Sequence, residues 1–288
     1  MKKSDKTDNV PTTGHEWDGI QEFDNPMPKW WLYTFYACII WGIGYAIAMP
    51  AWPLISSATP GVLGYSTRQN AHAEIAAQEL ANAGINTQLE NTDLISISQD
   101  RELMSYAKNA GASVFRTWCA QCHGSGAAGV QANGYPNLLD DDWLWGGDEN
   151  AIYQTIAHGV RNDIDEDARF SEMPNFGELL EPNEIKAVTN FVISLSGGDA
   201  LNPDLVSFGS EIYADNCSAC HGDTGQGDRD QGAPKLDDAI WLFGGSFDEI
   251  QAQITKSRNG VMPNWQGRLT EAEMRSVALY VHSLGGGE

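Results

Sequence analysis

The chain has 288 residues, 42% of them hydrophobic and 19% charged, with 39 acidic against 17 basic side chains and a formal net charge of −22. This balance excludes a disordered polyelectrolyte or a collagen-like repeat. It also excludes a nucleic-acid binder, whose phosphate contacts need clustered Lys and Arg. Of the five cysteines, four fall in two C-x-x-C-H runs and Cys38 is left over, which is no framework for a disulfide-stapled domain.

Residues 1–29 form a polar N-terminal segment. Residues 30–49, from Trp30 to Met49, carry no charge and one aliphatic hydroxyl, Thr34. At about 1.5 Å rise per residue such a helix is ~30 Å long, the thickness of a bilayer's hydrocarbon core. Trp30, Trp31 and Tyr33 at one end and Trp52 past the other match an aromatic belt. A cleaved signal peptide fits poorly: a long polar stretch comes first, the apolar run is too long and no A-x-A site follows. Lys2, Lys3, Lys6 and Lys29 precede the helix, and no basic residue follows until Arg68. The positive-inside rule therefore places the N-terminus in the cytoplasm and everything after residue 50 in the periplasm, anchored by one pass in a bacterial inner membrane. Most of the negative charge lies beyond the anchor. It reads either as a solvated acidic surface or as a landing field for a basic partner.

Residues 50–101 read as a helical connector. Arg68 to Ala83 is rich in good helix formers, with Gly84 as its expected stop. From there the chain repeats itself. Gly111, Phe115, Cys119, Cys122 and His123 return 98 residues later as Gly209, Tyr213, Cys217, Cys220 and His221. The run WLWGG at 143–147 returns as WLFGG at 241–245. Beyond that the offset falls to 89, so the first copy holds nine extra residues between Gly159 and Glu172. A repeat of this length suits duplicated domains rather than a solenoid, here 102–199 and 200–288. Each copy reads as a helix, C-x-x-C-H, a Gly-rich loop, a short helix, a Met-Pro loop and a closing helix, with no convincing strand. Thr270 to Glu273 has capping-box form, and Pro182 starts the equivalent helix.

C-x-x-C-H is the attachment signature for c-type haem. Its two thiols, Cys119 with Cys122 and Cys217 with Cys220, form thioethers to the vinyl groups, and the adjoining His123 or His221 ligates the iron. A thioredoxin-like redox pair explains neither the histidine nor the repetition, and a four-cysteine zinc site needs the pairs far closer together. For the sixth ligand, Met173 and Met262 stand in repeat-equivalent Met-Pro-Asn loops. A thioether there raises the potential and closes the iron to small molecules. His158 and His282 are rivals, but neither has a histidine in the other copy. The G-x-G-x-x-G run from Gly124 to Gly129 has no preceding strand, so its glycines serve a close approach to the porphyrin edge rather than a dinucleotide. Trp143 and Trp241 are expected as pocket walls. Two such closed sites make a wire, not a catalyst. The fold class expected is all-α, one N-terminal transmembrane helix followed by two tandem class I cytochrome c domains, with two covalently bound haem c groups.

The segments Gly14 to Ile20, Asn25 to Trp31 and Ala51 to Pro53 resemble the N-terminal region of the dihaem subunit of cbb3-type cytochrome c oxidases, and the resemblance extends over essentially the whole chain. It implies a non-catalytic electron-transfer subunit of a proton-pumping oxidase that reduces oxygen to water. In that family the subunit takes electrons from a soluble or membrane donor cytochrome c and passes them to the monohaem cytochrome c subunit and then the haem-copper catalytic subunit. It further implies that the methionines can be exchanged, Met262 capping the first haem and Met173 the second. The competing readings are a dihaem cytochrome c peroxidase and an electron-transfer subunit of another membrane dehydrogenase or reductase.

Overall fold

A computed structural model describes residues 10–288. Lys2, Lys3 and Lys6, on which much of the predicted orientation rests, lie outside the described residues. The chain forms two compact units, one running to Ala81 and one from Asn82 to Glu288.

The first unit opens with a hairpin that the sequence reading did not anticipate. Strands β1 (Thr12–Trp17) and β2 (Ile20–Phe23) pair antiparallel, Trp17 opposite Ile20 and Thr12 opposite Phe23. The turn is Asp18-Gly19, with φ of 49° and 80°, the doubly left-handed geometry that two-residue hairpins require. Helix α1 (Lys29–Ala48) follows, within one residue of the expected span and with no buried residue. It alone among the described residues is long and apolar enough to cross a membrane. A helix apolar all round and buried nowhere has its natural solvent in lipid. Cys38 is exposed on it. The segment after α1 folds back on its end. Val62 and Leu63 donate their backbone N–H groups to the Ile47 and Ala48 carbonyls at 2.9 and 3.1 Å, satisfying acceptors that water could not reach at membrane depth.

Helix α2 (Thr67–Asn91) runs straight through Gly84, so the expected stop does not operate. One glycine costs a helix only about 1 kcal/mol, and the turns beyond it carry Ile85 and Leu89, which join a core with Leu94, Ile97, Leu103 and Leu279. Arg275 clamps this end by donating to the Leu89 and Thr92 carbonyls at 3.2 and 2.6 Å.

In the second unit, α3 (Leu94–Gln99) and α4 (Arg101–Val114) are capped by Asp93 and Asp100. A π-helical turn (Phe115–Cys119) leads into α5 (Ala120–His123). Then come α6 (Glu149–His158), α7 (Pro182–Leu195), α8 (Val206–Asn216), α9 (Ser218–His221), α10 (Phe247–Thr255) and α11 (Glu271–His282). The capping boxes at Glu181/Glu184 and Thr270/Glu273 are formed. Helix packing crosses the repeat. Helix α4 of the first copy packs on α11 of the second, and α8 of the second on α7 of the first. Both crossings have the same chemistry. A Cβ on Gly111 would meet the Ser276 carbonyl oxygen at 2.1 Å, and one on Gly209 the Ala187 oxygen at 2.1 Å, so the helix backbones touch. Beside each crossing an aromatic pair closes the gap: Phe115 with Tyr280 at 5.6 Å and Phe191 with Tyr213 at 5.1 Å between ring centroids.

Candidate haem sites

Each C-x-x-C-H run ends a helix and leaves it through a left-handed glycine, Gly124 at φ 79° and Gly222 at φ 77°, a conformation a Cβ disfavours. The following loops superpose in their hydrogen bonds. Gly129 N–H donates to the His123 carbonyl at 2.9 Å, and Gly227 N–H to that of His221 at 2.8 Å. The Gly-rich run thus folds back on the histidine in both copies.

His123 Nδ1 lies 3.2 Å from the Pro136 carbonyl oxygen, and His221 Nδ1 2.9 Å from that of Pro234. A carbonyl only accepts, so Nδ1 carries the proton and Nε2 keeps its lone pair for a metal. Burial holds both imidazoles below their ordinary range, with the carbonyl contact opposing it in part, so both are neutral at pH 7. Burial, with a neighbouring thiol in second place, pushes Cys119 and Cys217 up to about 11. None of the four thiols is in a disulfide.

The methionines sit across the repeat boundary from the thiols of their own copy. Met262 packs with Cys119, Trp143, Trp265, Val114 and Ile156 in one apolar cluster. Met173 packs with Cys217, Trp241, Val188 and Ile250 in the other. Each loop is held by the opposite copy. Val160 exchanges two backbone hydrogen bonds with Met262 at 3.0 Å, and Ser257 Oγ donates to the Met173 carbonyl at 2.5 Å. The rival histidines have polar partners of their own: His158 Nδ1 is 3.2 Å from both Asp165 oxygens, and His282 Nε2 is 2.9 Å from the Glu288 carbonyl.

Trp143 and Trp241 pack against the two apolar clusters, and the Trp143 indole N–H donates to the Gly286 carbonyl. The sequence reading missed Trp145. Its Nε1–H is buried with no acceptor among the described residues, and its ring lies against Gly232, with the Arg169 guanidinium 5.3 Å from its centroid. The signal was the one place where WLWGG and WLFGG differ.

These residues fit a covalently held haem. In each half one thiol and a thioether share an apolar cluster, and the second thiol and an imidazole with its outer nitrogen fixed follow within one helical turn of that thiol. Trp145 adds a buried donor of the kind a haem carboxylate satisfies.

Two family models match the chain. Residues 9–56 match the N-terminal domain of cytochrome oxidase-cbb3, FixP. Residues 107–192 and 205–281 match the family described as cytochrome C oxidase, cbb3-type, subunit III. The cbb3-type cytochrome c oxidase subunit CcoP of Cereibacter sphaeroides is 59% identical, over 96% of this chain and 96% of the relative. The subunit FixP of Sinorhizobium medicae is 51% identical, over 100% and 98%. The CcoP of Rhodobacter capsulatus is 49% identical, over 100% and 99%. The chain belongs to the cbb3-type cytochrome c oxidase subunit III family, the membrane-anchored cytochrome c subunits that carry electrons within that oxidase.

Proposed function

We propose that this chain holds two haem c groups with exchanged methionines. The first is tethered by Cys119 and Cys122, with His123 and Met262 as axial ligands; the second by Cys217 and Cys220, with His221 and Met173. The supporting observation is that each C-x-x-C-H cluster contains the methionine of the other copy. When bound, haem iron supplies a one-electron couple. The protein does the rest. The Pro136 and Pro234 carbonyls orient the imidazoles, the thioethers favour the reduced state and leave no open position, and the apolar clusters keep water out.

On this reading the chain relays electrons from a donor cytochrome c, through the monohaem subunit, to the haem-copper catalytic subunit that reduces oxygen to water while pumping protons. It has no catalytic centre of its own. Its N-terminus is cytoplasmic, and residues 50–288 lie in the periplasm of the bacterial inner membrane. A dihaem peroxidase needs one open iron, and both clusters here contain a thioether. A subunit of another dehydrogenase or reductase remains distinguishable by what copurifies. The test is the native membrane complex carrying Met262→His or Met173→His. The first should lower the potential of the haem on Cys119/Cys122 alone, the second that of the haem on Cys217/Cys220 alone. Potentials that follow the opposite pairing would overturn the exchange. Denatured polypeptide without haem-dependent staining would overturn the whole reading.

A further inference from the structure

The nine residues that the first copy has and the second lacks build a distinct surface. Three backbone segments are stitched there. Val160 pairs with Met262 on one side and with Arg169 on the other, and Arg161 N–H donates to the Arg169 carbonyl at 2.7 Å. Val160 is buried and Met262 half-buried, facing the first cluster. Their neighbours along the stitched segments turn outward, as alternation in extended backbone requires. Phe170 is 67% exposed, Val261 63%, and Ile164 on the same loop 81%. Single exposed apolar residues need no explanation; three on one hydrogen-bonded framework are a candidate interaction surface.

Within the loop itself the charges are sorted by sign, while Lys256 and Arg258 are exposed on the segment that leads to Val261. Both cations of the loop are turned into the protein. Arg161 donates to the Gly260 and Ser171 carbonyls, and Arg169 donates to Thr155 Oγ1 and lies over Trp145. Asp165 is likewise occupied, by His158 and Asn264. Asp163, Glu166 and Asp167 remain exposed. The result is an apolar centre with a carboxylate rim, one residue along the chain from Met262.

We propose that this loop, with Val261, is the docking surface for a basic one-electron carrier protein, and that electrons enter the chain at the first site. The inference rests on the relay reading above. The partner's lysines meet the carboxylate rim, which sets the encounter rate, and an apolar patch on the partner covers Ile164, Phe170 and Val261. The second site has no counterpart loop, so entry is asymmetric. The step is a single electron transfer: the carrier is oxidised by one electron, the chain is reduced by one, no bond forms or breaks and no proton moves.

The test uses the intact oxidase complex and reduced horse-heart cytochrome c, a lysine-ringed carrier, in stopped flow at low and high salt. Neutralising the rim (Asp163→Asn, Glu166→Gln and Asp167→Asn together) should slow electron entry about tenfold at low salt and flatten its salt dependence. Ile164→Ser should weaken the complex at both salt concentrations. Neutralising Glu74, Glu79 and Glu90 on α2 should change nothing. Haem content and oxygen uptake driven by a small-molecule reductant read the relay itself. If those are normal and the rim variant is as fast as the parent, the docking surface is wrong while the relay stands. If the α2 variant slows entry and the rim variant does not, the surface is elsewhere. If the small-molecule reductant drives no oxygen uptake in the parent complex, the relay reading falls first.

Discussion

Gly209→Ala should break the crossing on which the second apolar cluster is built. The added methyl would sit 2.1 Å from the Ala187 oxygen and 2.6 Å from its carbonyl carbon, both backbone of α7. A normal contact is about 3.5 Å, so α8 and α7 must part by about 1 Å, a gap that forfeits a quarter to a half of the attraction between facing atoms. Overpacking typically costs about 1–3 kcal/mol. No flexible side chain can yield here, so the cost belongs near 3 kcal/mol, part of it the Phe191–Tyr213 ring contact. The assay is guanidinium denaturation of the matured protein in detergent, followed by helical circular dichroism. Gly84→Ala is the matched control, because a Cβ there meets nothing within 4 Å; it should gain about 0.5–1 kcal/mol from helix propensity alone. A Gly209→Ala midpoint equal to or above the parent's would refute the backbone-contact argument.

Two further substitutions probe the periphery of the sites. Burial, reinforced by Asp238 and Asp140 and opposed by Lys235, raises the Asp142 carboxyl to about 6. The folded chain therefore binds this proton more tightly than the unfolded chain, so stability falls as pH rises toward 6, and the penalty persists above it. Asp142→Asn should accordingly raise the melting temperature at pH 8 and leave it unchanged at pH 4; an equal gain at both would dismiss the titration. Arg275→Met removes the donor to the Leu89 and Thr92 carbonyls and leaves them short of a partner. A loss of about 1–3 kcal/mol is expected, with faster limited proteolysis between α2 and α3; unchanged cleavage there would show that the clamp is idle.

What could be read from the chain beforehand was whatever is local. C-x-x-C-H, the capping boxes and the membrane span each put their whole signal within a few turns, and each stands where the spacing put it. The hairpin was also legible, since Asp18-Gly19 between β-formers is a strong turn signal, but the polar composition of residues 1–29 drew attention away from it. Gly84 misled for the opposite reason. Its local preference to end a helix was real but small, and burial of Leu89, twelve residues before α4 begins, could not be weighed without the core it enters. Trp145 was overlooked because the two copies were compared for what they share.

The exchange of closing helices was illegible for a deeper reason. Helices α7 and α11 have the same apolar pattern, and α4 and α8 offer the same glycine and aromatic at the same register, Gly111 with Phe115 and Gly209 with Tyr213. Either pairing satisfies the packing rules, so the glycine and aromatic register does not encode the choice. Connectivity decides it. The nine additional residues give the Met173 segment slack, and Val160 is then free to bond the Met262 strand while Ser257 bonds the Met173 loop. One consequence follows for function. A strand or helix that belongs to one site by sequence and to the other by packing cannot loosen in one place alone. The two clusters are therefore coupled through their shared helices and loops, an arrangement that would suit the relay proposed above.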